Sequence, residues 1–339
     1  MSAKDTPASD VPVRIGIAGT GFQTRGIFLP CLSVMSGVEL VAMASSREET
    51  AKAVEKQFKV PCYVGWRKLV EDPNVEALLI AVPSPMLEEV ACAGLENGKH
   101  VFVETMGILT PEGGRRLREL EQKTGLVIQF GYSREYAPIY VKMKIILEEW
   151  RQRDPGPRLW LARYYYGEHH TIHTLIYMNG FVKAVQGVGG KRGEAFLYEF
   201  ENGDVASVAL TRFVTMMANM ERLEVSSPTA CMAANNFYEL RFLGDLSETY
   251  GYEARFDSVS ETVWNPSFSA PYFGMSSQYL HGTQPELEAF VYHVRHGGRP
   301  RANVDTVEHT MYVKRAAREA LDTGKRILLQ DYIAAHQPK

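Results

Sequence analysis

The sequence predicts an α/β protein: a doubly wound parallel sheet in the N-terminal third, then an α+β domain with an open, mostly antiparallel sheet. Three observations carry this. An apolar run over residues 15–18 ends in Gly19-Thr20-Gly21 and opens into a helix-compatible segment over about residues 26–35. Strand and helix patterns then alternate as far as Phe130, the rhythm of parallel βαβ units. Beyond Tyr132, strand patterns follow one another with turn signals between them, as at Glu201-Asn202-Gly203-Asp204, the rhythm of hairpins. The expected division is a flexible tail over 1–12, a first domain over 13–131 and a second over 132–339.

The first elements also have a chemistry. A strand, a glycine turn and a helix start, in that order, suit a dinucleotide: Gly19 allows the tight turn and Gly21 lets backbone approach a pyrophosphate. The helix N-terminus supplies free N–H groups and a positive dipole end. The third small position of G-x-G-x-x-G is Thr24, so the pattern is incomplete. Residues 38–44 form the next buried-type strand, which ends in Ser45-Ser46-Arg47. In such a Rossmann fold that end faces the adenosine ribose, where an acid binds the 2′-hydroxyl and small hydroxyls with an arginine suit a 2′-phosphate. With no acid before Glu48, NADP is favoured over NAD; alternatively Ser45 and Ser46 cap the helix over 48–58.

Residues 75–82 read as a strand buried on both faces, ending at Pro83-Ser84-Pro85 beside the cofactor. A helix over 86–96 stops at Asn97-Gly98, a strand covers 100–104, a helix 111–124 and a closing strand 125–130. The expected cofactor set is Gly19, Gly21, Phe22, Gln23, Thr24, Ser45, Ser46, Arg47, Val82, Pro83, Ser84 and Glu104. In the second half a helix over 137–150 precedes strand candidates at 159–166, 181–188, 195–201, 205–213, 221–225 and 238–242. Helices over 284–296 and 305–323 complete the pattern.

Composition narrows the classes. The 339 residues suffice for two domains, 45% hydrophobic and 23% charged residues are those of a globular protein, and a net charge of −3 offers nothing to nucleic acid or an anionic membrane. No apolar run approaches the ~20 residues that cross a bilayer. The polar residues 1–10 lack the features of a signal peptide, and four scattered cysteines favour reduced thiols, so a cytoplasmic location is expected.

The order of elements and several phrases resemble the glucose–fructose oxidoreductase / inositol dehydrogenase / MocA family of NAD(P)-dependent oxidoreductases. The phrases are Gly19-Thr20-Gly21, the stretch 93–104 (Ala-Gly-Leu-Glu-Asn-Gly-Lys-His-Val-Phe-Val-Glu), and Gly131-Tyr132-Ser133-Arg134. The resemblance implies a nicotinamide cofactor, a small-molecule substrate, and a homodimer or homotetramer formed through the C-terminal sheet. Departures are informative. Where the family carries Glu-Lys-Pro, this chain has Glu104-Thr105-Met106, and a threonine hydroxyl is too weak an acid to protonate an alkoxide alone. The family's Pro-Asn-x-x-His reads Pro83-Ser84-Pro85-Met86-Leu87.

The family's histidine corresponds to His170, and its aspartate four residues earlier to Tyr166. A histidine near its ordinary pKa of ~6.5 exchanges protons at neutral pH, which makes His170 the first candidate acid or base, with His173 one helical turn on. The catalytic candidates are therefore His170, His173, Tyr166, Glu104 and Thr105. Glu168, His169, His170 and His173 also read as a metal set, but the spacing is not H-E-x-x-H and no metal is expected.

The expected reaction is hydride transfer between NADP and a carbonyl or imine carbon of a small polar, sugar-like or cyclic-imine metabolite; an iminium needs less acid assistance than a ketone. Rival readings are a lyase or hydrolase using a transient internal redox cycle, and a non-catalytic NADP-binding sensor or scaffold.

Overall fold

In the computed structural model, which describes residues 11–104, 110–164, 168–190, 193–211, 221–244, 261–265 and 276–337, the chain divides into two units. The first comprises residues 1–131 with Gln284–Asp305, the second Tyr132–Thr283 with Thr306–Lys339.

The first unit is built on six strands: β1 (Val13–Ala18), β2 (Val38–Ser45), β3 (Cys62–Val64), β4 (Ala77–Ile80), β5 (His100–Val103) and β6 (Ile128–Phe130). All pair in parallel, in the order β3-β2-β1-β4-β5-β6. β1, β4 and β5 are nearly all apolar because helices cover both faces of a parallel sheet. The connections are a π-turn (Thr24–Phe28) running into α1 (Leu29–Leu32), then α2 (Glu48–Phe58), α3 (Arg67–Glu71), α4 (Ser84–Glu96) and α5 (Pro111–Thr124). The strand order reverses between β1 and β4, which is where open α/β sheets bind ligands.

The expected second domain over 132–339 differs from this division in residues 284–305. Their amphipathic helix buries Leu287, Phe290 and Val291 in the first core, with Phe290 edge-on to Phe102 at 5.7 Å. Gln129 donates to the Glu286 carbonyl at 3.0 Å, the Phe130 N–H to the Ala302 carbonyl at 3.0 Å, and Arg299 pairs with Glu121 at 2.8 Å. Sequence proximity to later strands is overridden by apolar burial on the earlier sheet.

The second unit opens with α6 (Pro138–Arg153), β7 (Leu159–Tyr164) and α7 (Glu168–Asn179). Strands β8 (Val182–Gly190), β9 (Gly193–Phe200), β10 (Val205–Thr211), β11 (Arg222–Ser226), β12 (Cys231–Asn235), β13 (Glu239–Leu243) and β14 (Glu261–Trp264) follow. Then come α8 (Ser276–Leu280), α9 (Thr283–His296), α10 (Val304–Thr323), β15 (Ile327–Leu328) and α11 (Leu329–His336). The sheet runs β14-β13-β12-β11-β7-β10-β9-β8-β15, antiparallel except where β10 meets β7. β7 alternates exposed and buried residues, so one face packs on the core and the other is open. Its core is mainly aliphatic and includes the fully enclosed rings of Trp160, Phe196, Tyr198 and Phe200.

Several elements differ from expectation. α4 begins at Ser84 rather than Met86, because Pro85 occupies its first turn, where the missing N–H costs nothing. The strand expected over 159–166 is present over its described part, Leu159–Tyr164, residues 165 and 166 lying outside the described residues, and Glu168 opens a helix not among the expected elements. β3 and β14, of three and four residues, are too short to show a period, and β12 (Cys-Met-Ala-Ala-Asn) has no alternation of apolar and polar residues. All four cysteines are unpaired thiols, and no helix among the described residues is long and apolar enough to cross a membrane.

Candidate functional site

The glycine turn of the first unit has the local geometry of a phosphate cradle. Gly19 lies at φ +107°, where a Cβ would strike the Ala81 carbonyl oxygen. Its N–H donates to the Ala44 carbonyl at 3.0 Å, and the Ala81 N–H to the Ala18 carbonyl at 2.8 Å, so the turn is tied to both neighbouring strand ends. Gly21 is the opposite case: a Cβ added there meets nothing within 4 Å, which leaves its backbone open to approach. Helical structure begins at Phe22 and Gln23, and the leading N–H groups there form the positive end of the helix dipole.

Thr24 explains the incomplete glycine pattern. It is fully buried, and its hydroxyl donates to the Gly19 carbonyl at 2.8 Å, bracing the turn from inside. Phe22 is 83% exposed. At the end of β2, buried Ser45 accepts from the Thr20 hydroxyl at 3.2 Å and from the Arg47 N–H at 3.4 Å. Neither serine caps α2: Arg47 is its cap residue, without a side-chain cap bond. Ser46 and Arg47 are exposed, and Glu48, the first acid after the strand, is paired with Lys52 at 2.7 Å. Val82 and Pro83 follow the C-terminal end of β4, beside the Gly19 turn, and Ser84 starts α4.

Glu104 follows β5, its N–H bonded to the Ile80 carbonyl at 2.9 Å. Its carboxylate lies against Gly131, where an added Cβ would be 3.0 Å from Oε2. Burial pushes its pKa up to about 7, opposed by a hydrogen bond from the Gln23 side chain. The sequence reading placed Gln23 and Glu104 in one site but contained no signal that they are joined. Thr105 and Tyr166 lie outside the described residues.

The second unit gathers the histidines of α7 around one ring. The Tyr132 ring is stacked with His173 at 3.7 Å between centroids and meets His170 and His169 edge-on at 5.4 and 6.3 Å. His173 is fully buried. The Thr310 hydroxyl donates its one proton to the Thr306 carbonyl at 2.8 Å, so it receives the hydrogen bond from His173 Nδ1, also at 2.8 Å. That leaves Nε2 facing Glu135 Oε1 at 2.8 Å. His173 is thereby a held residue, and its partners Glu135 and Thr310 were not legible in the sequence.

The expectation that His170 titrates near neutrality is corrected. Burial, then the charges of His169, Arg134 and His173, hold its pKa well below the ordinary value. His169 is pushed down to about 4 by burial, then Lys314, Arg134 and His173. Both imidazoles are neutral at pH 7, hydrogen-bonding groups rather than proton stores. His170 Nδ1 and His169 Nε2 are buried without a hydrogen-bond partner among the described residues. Glu168 is taken by Arg318 at 2.7 Å, which also holds Glu194 at 2.7 Å. No group of three or more His, Cys, Asp or Glu among the described residues is arranged to hold a metal, so the four-residue metal set does not assemble.

Behind the histidines, Arg134 makes a bidentate contact with buried Glu221 at 2.6–3.1 Å, and the Tyr140 hydroxyl donates to the same carboxylate. Arg134 also lies over the rings of Tyr164 and Phe237, at 5.7 Å from each centroid.

Comparison with known proteins bears on the first unit most directly. Residues 13–132 match the oxidoreductase family with an NAD-binding Rossmann fold. The inositol 2-dehydrogenase/D-chiro-inositol 3-dehydrogenase of Halalkalibacterium halodurans is 33% identical over 140 residues, 40% of each chain. The inositol 2-dehydrogenase of Pseudomonas savastanoi pv. phaseolicola is 29% identical over 146 residues, 42% of this chain and 44% of that one. The matched span is thus about two fifths of the length of these curated relatives. Among solved structures, levoglucosan dehydrogenase in complex with NADH and L-sorbose superposes with a TM-score of 0.78 at 17% identity, covering 94% of this chain and 99% of that one. The scyllo-inositol dehydrogenase from Lactobacillus casei gives 0.75 at 15% identity, covering 95% and 99%. At such identities the likeness is one of fold.

Proposed function

We propose that this chain, whose residues 13–132 match the oxidoreductase family with an NAD-binding Rossmann fold, is a member of the glucose–fructose oxidoreductase / inositol dehydrogenase / MocA family and an NADP-dependent oxidoreductase acting on a small polyhydroxylated or imine metabolite. The observation that carries the reading is the turn from Gly19 to Gly21, strained where only glycine fits and open where a pyrophosphate approaches. When bound, the nicotinamide supplies or accepts the hydride. Gly21, Phe22, Gln23 and Thr24 form the phosphate end, with Val82, Pro83 and Ser84 on the adjoining strand end. Ser46 and Arg47 support the 2′-phosphate: both are exposed at the end of β2, and the nearest acid is engaged by Lys52.

Proton transfer falls to Glu104 in this proposal. A carboxyl poised near pH 7 takes a proton from an alcohol or returns one to an alkoxide, the task the family's lysine shares. His169 and His170, neutral and with buried ring nitrogens that have no partner among the described residues, act in this proposal as hydrogen-bonding groups within the second unit. The inositol dehydrogenase relatives make a cyclic polyol or its keto form the first substrate class to examine. Copies of the chain associate through the open face of the second sheet, where Leu161, Ser207 and Leu197 form one cross-strand row and both leucines are nearly half exposed.

The test follows absorbance of NADPH and of NADH with purified protein across inositols, ketoses, keto-sugars and cyclic imines, in both directions. Stoichiometric cofactor turnover with one class establishes the reading. Product without net cofactor change moves the protein to an internal redox cycle, and tight NADPH binding without turnover anywhere makes it a sensor.

A further inference from the structure

The second unit holds a cavity of about 380 Å³ with no part in the proposed chemistry. It is formed by α6, the Pro155–Arg158 bend, the C-terminal end of α7 and the turn between β9 and β10. Its volume lies in the range of about 300–1,000 Å³ typical of small-ligand sites.

The lining carries three cations, Lys144, Arg151 and Arg158, and one acid, Asp204. Asp204 is already engaged by three donors. Its Oδ2 accepts from Arg151 at 2.7 Å and from the Trp160 indole at 3.0 Å, and its Oδ1 accepts from the Arg158 N–H at 2.9 Å. The remaining partners are neutral carbonyls, apart from exposed Glu148 at 3.5 Å from Lys144. Met178 O takes Lys144 at 3.2 Å and Arg151 at 2.8 Å, and Gly156 O and Asp154 O take Arg158 at 2.7 and 2.5 Å. Two donors are left over among the described residues: Nε of Arg158, which is 3% exposed, and Nδ2 of Asn179, which is 6% exposed. Lys144 and Arg158 both have lowered pKa values, from burial first and with the Arg151 charge among the causes, opposed by Glu148 and Glu135 at Lys144 and by Asp154 and Asp204 at Arg158. Carbonyl dipoles stabilise three clustered cations less well than a counter-anion does.

We propose that this cavity is an anion site, taking an oxyanion of the phosphate class, either free or as the terminal group of a small metabolite. The site is independent of the dinucleotide turn. Lys144 meets the anion from α6, its bonds to Met178 O and Glu148 being the longest of the cluster, while Arg151 and Arg158 are held in place by Asp204 and the carbonyls.

Calorimetric titration with inorganic phosphate and, separately, glycerophosphate tests this, in the presence of saturating NADPH and with chloride at matched ionic strength as reference. Phosphate binding is expected in the wild type and about tenfold weaker in Lys144→Met, which keeps the apolar stem and removes one charge. The tighter of the two probes identifies the free or the esterified ion. Titration of folded protein well below the unfolding midpoint keeps the comparison valid if the variant is less stable. No binding of either probe beyond chloride, or equal affinity in wild type and Lys144→Met, overturns the assignment. NADPH affinity unchanged in Lys144→Met separates this site from the dinucleotide site.

Discussion

His173 lies flat against Tyr132, ring centroids 3.7 Å apart, with Thr310 on one ring nitrogen and Glu135 at the other. Residues separated by 137 positions in the chain thus fix one imidazole in the core of the second unit. His173→Phe preserves the stacking and removes both polar contacts, leaving a buried carboxylate short of a partner. Stability is expected to fall by about 2–4 kcal/mol, read as a lower urea midpoint with an unchanged slope. An unchanged midpoint contradicts the holding role.

The two glycines of the cofactor turn separate folding from binding. Gly19→Ala places a Cβ against the Ala81 carbonyl at a φ of +107°, so it should destabilise by about 1–3 kcal/mol. Gly21→Ala meets no protein atom within 4 Å and should leave stability within about 0.5 kcal/mol. NADPH affinity is nevertheless expected to drop about tenfold or more, because the methyl occupies the space of the pyrophosphate. Fluorescence titration of both variants decides; full affinity in Gly21→Ala removes the turn from the cofactor site.

Arg47→Ala should weaken NADPH about tenfold and NADH by less than about twofold, since only the former carries a 2′-phosphate. Equal losses for both cofactors would make Arg47 a general contributor and leave the preference for NADP without its residue.

In the proposed mechanism Glu104 links catalysis to stability through pH. Its folded pKa, about 7, lies above the ordinary 4.5, so the folded state binds more protons between those values and stability falls as pH rises through that window. The loss is at most about 3 kcal/mol and should be absent in Glu104→Gln, whose unfolding free energy overtakes that of the wild type above pH ~7. In catalysis, oxidation requires the ionised base and should rise through pH ~7, while reduction requires the acid and should fall. Glu104→Gln should flatten both profiles. A wild-type profile that is level from pH 5 to 9 in both directions would take Glu104 out of the proton path.

Leu161→Lys combined with Leu197→Lys places two charges on the open sheet face without touching the core, both positions being nearly half exposed. Light scattering should show the oligomer dissociating while far-UV circular dichroism is unchanged. A wild type that is already monomeric at micromolar concentration would refute association through this face.

The sequence by itself determined the alternation of parallel strands and helices, the glycine turn and the later meander. Each is written in local signals: apolar runs long enough for one strand, glycines where only glycine fits, turn dipeptides between β patterns. It also singled out His170, His173 and Glu104 as candidates. Tertiary structure alone decided what those residues are. Burial drives His169 and His170 neutral and lifts Glu104 toward pH 7, and burial is a property of everything packed around a group. Thr310 reaches His173, and Gln23 reaches Glu104, across spans that no local pattern records. Residues 284–305 join the first unit for the same reason, because the face that buries Phe290 is chosen by packing rather than by position along the chain.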